Sequence, residues 1–182
     1  MKTKSQIAKR IILGSLLISS ITIFDSCKKL GCTDVDADTY KSTAEKNNEA
    51  DCKYRFASTF YVTNIPSTKS TGEFWDNYYS YDCDAYVRFK PKGSSSWYYT
   101  NADYNTNSAT CYQSSSNVQF TNEEWEFECR DSDYSSYPNY DELVIAGTFN
   151  PLTQGTTSGE TGKIKITIQG VRFEFNYTVR KQ

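Results

Sequence analysis

From residue 55 to the C-terminus, apolar side chains recur at every second position. Ala85, Val87 and Phe89 alternate with Tyr86, Arg88 and Lys90. Trp125, Phe127 and Cys129 alternate with Glu124, Glu126 and Glu128, and Ile164, Ile166 and Ile168 with Lys165, Thr167 and Gln169. Val171, Phe173, Phe175 and Tyr177 complete the series. A period of two with one apolar face is the signature of half-buried antiparallel strands. No segment after the leader sustains a helical period, so the chain has to bury sheet against sheet. The β-branched and aromatic run "STFYVTNI" (58–65) adds another strand, and Gln169-Gly170 between the last two runs predicts a tight hairpin. About seven to eight strands over this length predict an all-β, antiparallel β-sandwich with one core. The Asn/Ser/Thr-rich stretch 100–117 is expected to be a long loop or a ragged edge.

The first 26 residues stand apart. Lys2, Lys4, Lys9 and Arg10 precede an apolar run from Ile11 to Phe24, shorter than the roughly 20 residues a membrane-spanning helix needs. This reads as a secretory signal and is excluded from fold reasoning. The junction Phe24-Asp25-Ser26-Cys27 resembles a bacterial lipoprotein signal. That resemblance implies that Cys27 becomes the lipidated first residue and ties the protein to a membrane. An ordinary signal cut elsewhere, with Cys27 in a disulfide, is the alternative. Lys28 and Lys29 follow with no acidic residue, which by resemblance to bacterial sorting implies the outer membrane of the cell envelope. The expected organisation is a signal peptide (1–26), a short tether (27–54) and the sandwich domain (55–182).

Composition narrows the function. The 182-residue chain carries 20 basic and 22 acidic residues. Without the leader the balance is 16 against 21, which argues against nucleic acid as a partner. There is no histidine. That removes His-based nucleophile pairs, His general bases and His-bound zinc together. The chain is accordingly read as a binding protein and not as an enzyme. A glycosidase built on carboxylates is the catalytic alternative, and no paired acid motif stands out. Six cysteines in an exported chain imply oxidation. If Cys27 carries lipid, five remain, Cys32, Cys52, Cys83, Cys111 and Cys129, and the odd number leaves one free thiol or one intermolecular bond.

Residues 27–54 read "CKKLGCTDVDADTYKSTAEKNNEADCKY". The frame of Gly-Cys-Thr-Asp, Ala37, Tyr40, Ala44, Cys52 and Tyr54 resembles a short disulfide module of exported Bacteroidota proteins, of the form GCTDPxAxNYxxxAxxDDGSCxY. The proline and the DDGS run are missing here. The resemblance implies a Cys32–Cys52 disulfide, whose loop is worth about 3 kcal/mol by the chain-entropy argument. Asp34, Asp36 and Asp38 occupy every second position. Without a glycine turn or a closing glutamate at ligand spacing, they are read as a solvated acidic spacer and not as a calcium loop.

Two acidic stretches lie between strands: "FWDNYYSYDCDAYVRFK" and "DSDYSSYPNYD" (131–141). Here the sequence resembles the C2 domain, a β-sandwich that binds phospholipid or protein in a calcium-dependent way. The segment 60–90 resembles that family's first strand, first calcium loop and "SDPYVKV" strand. "FTNEEWEFECRDSDYSSYPNYDELVIAG" resembles its "WNEEFEFEVWDYD…DDFIG" segment, and "GKIKITI" its "GELLLSL" strand. The resemblance implies Ca2+ ligands at Asp84, Asp131, Asp133 and Asp141, with Asp76 preferred over Asp82 as the fifth. In the resembled fold the two acidic loops lie side by side, and because Cys83 and Cys129 flank them the resemblance favours that pair, with Cys111 left over. Ala85 stands where the family has proline, and the second loop is longer by about two residues. Five converging carboxylates repel one another unless a cation or raised pKa values relieve them. In millimolar extracellular calcium, a Kd of about 10⁻⁴–10⁻³ M suffices. Strand parity also places Asp131 on the inward side, at the rim of the sandwich.

Other groups read as structural. Glu124, Glu126 and Glu128 share one strand face and are expected to be solvated. Tyr78, Tyr79, Tyr98, Tyr99, Tyr134, Tyr137 and Tyr140 gather near the loops, where they either pack the surface or hold a partner. Asn176-Tyr-Thr is a glycosylation triplet by pattern alone. The sequence therefore describes an envelope binding or adhesion module, held by lipid on Cys27, with a protein, glycan or lipid ligand. Its action is calcium-dependent through the acidic loops or metal-free through the tyrosines.

Overall fold

The computed structural model describes residues 28–75, 82–113, 117–133 and 141–182. Two short strands, β1 (Leu30–Gly31) and β2 (Lys46–Asn47), pair in parallel in the N-terminal piece. The domain then comprises β3 (Tyr54–Thr63), β4 (Ala85–Pro91), β5 (Tyr98–Tyr99), β6 (Ser108–Tyr112), β7 (Trp125–Asp131), β8 (Glu142–Phe149), β9 (Thr156–Ser158), β10 (Thr161–Ile168) and β11 (Val171–Arg180). Sheet one has the order β6-β3-β11-β10-β9 and sheet two the order β5-β4-β7-β8. Every pairing within the two sheets is antiparallel. The expected antiparallel sandwich is what forms, with nine strands in its two sheets among the described residues.

The alternation read from sequence maps onto burial. Along β7, Trp125, Phe127, Cys129 and Asp131 are buried, and the residues between them are half-exposed. Phe60 of sheet one meets Phe89 of sheet two at 4.7 Å between ring centroids, and Phe127 of sheet two meets Phe175 of sheet one at 4.9 Å. Tilted and edge-on rings of this kind interlock the two sheets. Gln169 and Gly170 both have positive φ, and Ile168 pairs with Val171 across them. This is the two-residue turn whose twist suits a hairpin. Within 100–117, β6 forms the edge of sheet one, so the ragged-edge alternative is the one realised.

The N-terminal piece packs on the sandwich. Cys32 and Cys52 form a disulfide, and Cys32, Ala37, Cys52, Tyr54 and Phe56 make a small second core. Asp34 accepts from the Tyr54 hydroxyl at 2.8 Å, and Asp36 from the Asn122 backbone N–H at 2.7 Å. Asp38 pairs with Arg55, whose Nη2 lies 2.5 Å from its Oδ1. Arg55 also donates to the Pro151 carbonyl and lies over the Tyr177 ring. The carboxylates taken for a solvated run thus dock the module on the sandwich.

The expected Cys83–Cys129 bridge is absent. Cys83, Cys111 and Cys129 are buried free thiols. Register places Cys129 opposite Val87, four residues along from Cys83. An extended run of four residues covers about 13 Å, beyond the roughly 7 Å that a disulfide spans between Cα atoms. Burial above all pushes each thiol up, Cys111 to about 12, so they remain protonated.

Candidate functional site at the acidic end of the sandwich

The β7–β8 pairing builds the site. Cys129 opposes Ile145, but Arg130 opposes Leu143 and Asp131 opposes Glu142. The irregularity inserts one residue into β8 and so reverses its parity beyond Ile145. Leu143 is left exposed, and Glu142 is set beside Asp131. One carboxylate oxygen from each of Asp131, Asp133 and Glu142 then lies within 4.8 Å of the others. Asp131 is fully buried at the rim, and its Oδ1 accepts the Asp84 backbone N–H at 2.7 Å. Burial, followed by the charge of Asp131, pushes the Cys83 thiol up.

Two other expected ligands, Asp84 and Asp141, lie near enough for their charges to act on Asp133, but their carboxylates are engaged by other donors. Asp84 contributes its backbone N–H to Asp131, while its own Oδ1 accepts the Asn105 N–H at 2.7 Å. Asp141 Oδ2 accepts the Tyr86 hydroxyl at 2.6 Å, and its carbonyl accepts from Arg130. Tyr86 belongs to the outward parity of β4, so Asp141 is drawn toward the outer face of sheet two. Burial and the bond to Asp141 push the Tyr86 phenol up. Asp76 lies outside the described residues, as do Cys27, Tyr78, Tyr79, Tyr134, Tyr137 and Tyr140.

A lysine stands at the cluster. The segment 66–75 folds back on itself through a bridge between Thr68 and Phe74, with Lys69 N–H bonded to the Glu73 carbonyl at 2.7 Å. The Trp75 indole anchors the excursion by donating to the Pro66 carbonyl at 2.6 Å. Its ring lies 6.0 Å from Lys69 Nζ, which forms an ion pair with Glu142. Burial alone would lower the Lys69 ammonium. The bond to Glu142 and the charges of Glu142, Asp133 and Asp131 outweigh it and raise the group above its ordinary value. Burial, followed by the charge of Glu142, pushes the Asp133 carboxyl up, against the pull of Lys69.

The donor set suits a hard cation: all oxygen, anionic, drawn from two adjacent strand ends. Residues Asp131 and Asp133 were legible as candidates from the resemblance. Glu142 was not, because straight parity from Ile145 turns it outward; the bulge is the missing information. Lys69 was also missed. The signal for it is only a lone lysine in a polar loop, distant in sequence from the acids it meets.

The three strand-face glutamates are engaged in ion pairs. Across β4 and β7, Arg88 pairs with Glu128 at 2.7 Å and Lys90 with Glu126 at 3.4 Å, and beyond them Lys92 pairs with Glu124 at 2.5 Å. Trp97 lies against both Arg88 and Lys90. The glutamates are rungs of an ion-pair ladder. Tyr98 packs on Trp125 and Tyr99 on Tyr86, with centroids 6.2 and 6.4 Å apart.

A two-sheet sandwich with an acidic end is thus defined by the structure itself. No protein-family model matches the chain, and no curated protein is significantly similar to it. Among solved structures, human GIVD cytosolic phospholipase A2 is similar over 72% of this chain, at 12% identity and a TM-score of 0.51. The chain spans only 16% of that protein's length. A C2 domain is similar over 70% of this chain and 97% of its own, at 17% identity and a TM-score of 0.43. At such identities the likeness is one of fold.

Proposed function

We propose that this chain is an exported binding module whose acidic sandwich end takes Ca2+ between Asp131, Asp133 and Glu142, with Lys69 as the cation it displaces. The observation that carries this reading is the convergence of three carboxylate oxygens within 4.8 Å. Bound calcium would satisfy charges that otherwise repel one another, and would complete its shell with carbonyls and water. The module acts from the cell envelope, held by lipid on Cys27 at the outer membrane, in adhesion or interaction with a protein, glycan or lipid. It binds and does not catalyse: histidine is absent, and the strand-face glutamates are engaged in ion pairs.

A second reading is favoured by one feature, the Lys69–Glu142 ion pair. In it the lysine is the permanent counter-ion, and the module works without metal. Thermal melts in calcium, magnesium and chelator separate the two. Calcium at tenfold excess over its Kd adds about 1.4 kcal/mol, a rise of several degrees. The double substitution Asp133→Asn with Glu142→Gln is expected to abolish that rise. No shift at millimolar calcium leaves the metal-free module.

A further inference from the structure

The two outer faces of the sandwich differ. That of sheet two is closed by the arginine, lysine and glutamate ladder under Trp97. That of sheet one carries a groove of about 550 Å³ across β3, β11 and β10, bounded by β9. More than half of the residues lining it are serine or threonine. A second groove of about 430 Å³ shares Tyr61 and Glu174 with the first and carries it on toward Arg172 and Thr167. From Thr178 to Arg172 the furrow follows seven residues of β11, about 20 Å from first to last.

The lining has the functional groups that recognise a polyol. Asn176 donates to the Thr59 carbonyl at 3.2 Å, which fixes its amide and leaves Oδ1 as an acceptor. The hydroxyls of Thr59 and Thr178 make no hydrogen bond among the described residues, so each can donate and accept. Glu174 sits between Lys163 and Lys165, at 3.4 and 3.6 Å. The carboxylate offers acceptors and the ammonium groups offer donors within one short span, a match for vicinal hydroxyls. Glu174 partly offsets the two lysines, which weakens any preference for an anion. Tyr61 is 40% exposed at the junction of the two grooves, and is the cross-strand partner of Glu174. Its ring offers a flat apolar face with a hydroxyl at its edge, suited to the C–H face of a sugar ring. Tyr112, 60% exposed on the neighbouring edge strand, extends the same outer face beside Thr59.

The floor is rigid. Gly162 lies opposite Tyr177, and a Cβ at Gly162 would come within 2.3 Å of that ring. The Tyr177 hydroxyl lies 3.0 Å from Thr157 Oγ1, which ties β9 to β11. A groove whose polar groups are already held in place loses little entropy when a ligand binds.

We propose that the outer face of sheet one is a binding site for a neutral oligosaccharide, with Tyr61 as the stacking ring and Asn176, Thr59 and the Glu174–Lys163 pair as its hydrogen-bonding groups. This site is independent of the acidic end and of any cation there. The test is calorimetric titration of the purified full-length chain with cellohexaose, xylohexaose and mannohexaose, with heparin as an anionic comparison, all in chelator. Saturable binding of at least one neutral hexasaccharide is expected. Tyr61→Ala should weaken it about tenfold, as loss of a central aromatic anchor does. Glu174→Gln, which preserves size, should weaken it by a smaller factor. Lys92→Ala on the opposite face should leave it unchanged. Failure of all three neutral sugars to bind overturns the proposal. So does binding that Tyr61→Ala and Glu174→Gln leave intact in folded protein, and so does a preference for heparin.

Discussion

Two groups of carboxylates in this molecule share an Asp-x-Asp spacing and meet different fates. In the N-terminal module, Asp34, Asp36 and Asp38 each find a separate partner: the Tyr54 hydroxyl, the Asn122 N–H and the Arg55 guanidinium. At the far end of β7, Asp131, Asp133 and Glu142 crowd within 4.8 Å, and one lysine is ion-paired to the group. The first set is individually satisfied and acts as structural glue. The second holds more negative charge than its lysine cancels. The Asp133 carboxyl is raised by burial and by Glu142, and the Tyr54 phenol is raised to about 12, first by its bond to Asp34. The lesson is that acidic spacing alone does not decide whether carboxylates are dispersed among partners or gathered together; their tertiary neighbours do.

The largest expected effect tests the structural half of this contrast. Arg55→Ala removes the partner of Asp38 and strands a largely buried carboxylate, together with the Pro151 carbonyl. Breaking a buried pair this way costs about 3–5 kcal/mol. Denaturant unfolding should register that loss with or without calcium. A change within experimental error would mean that the module is not held by this pair.

A smaller effect tests the other half. Lys69→Met leaves three carboxylates without their ammonium. The pair is partly exposed, with side-chain accessibilities of 18% and 42%. Solvent screening therefore limits the loss in chelator to about 1 kcal/mol. Calcium should then stabilise this variant more than it does the parent, because the competing cation is gone. Equal calcium responses in the two proteins would separate Lys69 from the cation site.

The smallest effect is a pH dependence. Asp133 has a raised folded pKa, so the folded chain binds its proton more readily than the unfolded chain does. In the window between the unfolded and folded values, the native state holds more protons, and stability falls as pH rises. The metal-free protein should therefore lose a little stability as pH climbs out of the carboxylate range. Asp133→Asn should flatten that part of the curve. An identical pH dependence in the parent and in Asp133→Asn would contradict the crowding of Asp133.

Much of this was legible along the chain. The alternation of Trp125, Phe127 and Cys129 fixes which face of β7 is buried, because a strand has a period of two whatever it pairs with. It also carries Asp131 to the inner rim. Gly170 marks the hairpin turn locally, since glycine adopts positive φ without steric cost. The Cys32–Cys52 bridge follows from a motif contained within one short segment. What the sequence alone did not reveal depends on register and on distant approach. The bulge in β8 turns Glu142 toward Asp131, and nothing local to residues 141–145 requires it. Lys69 meets Glu142 only because the 66–75 excursion folds over the end of the sheet. Arg55, Asp38 and Pro151 converge from three separate parts of the chain. Local pattern decides which side of a strand a residue occupies, because backbone geometry sets it. Tertiary structure alone decides which charges become neighbours, because that depends on how strands slide, bulge and stack.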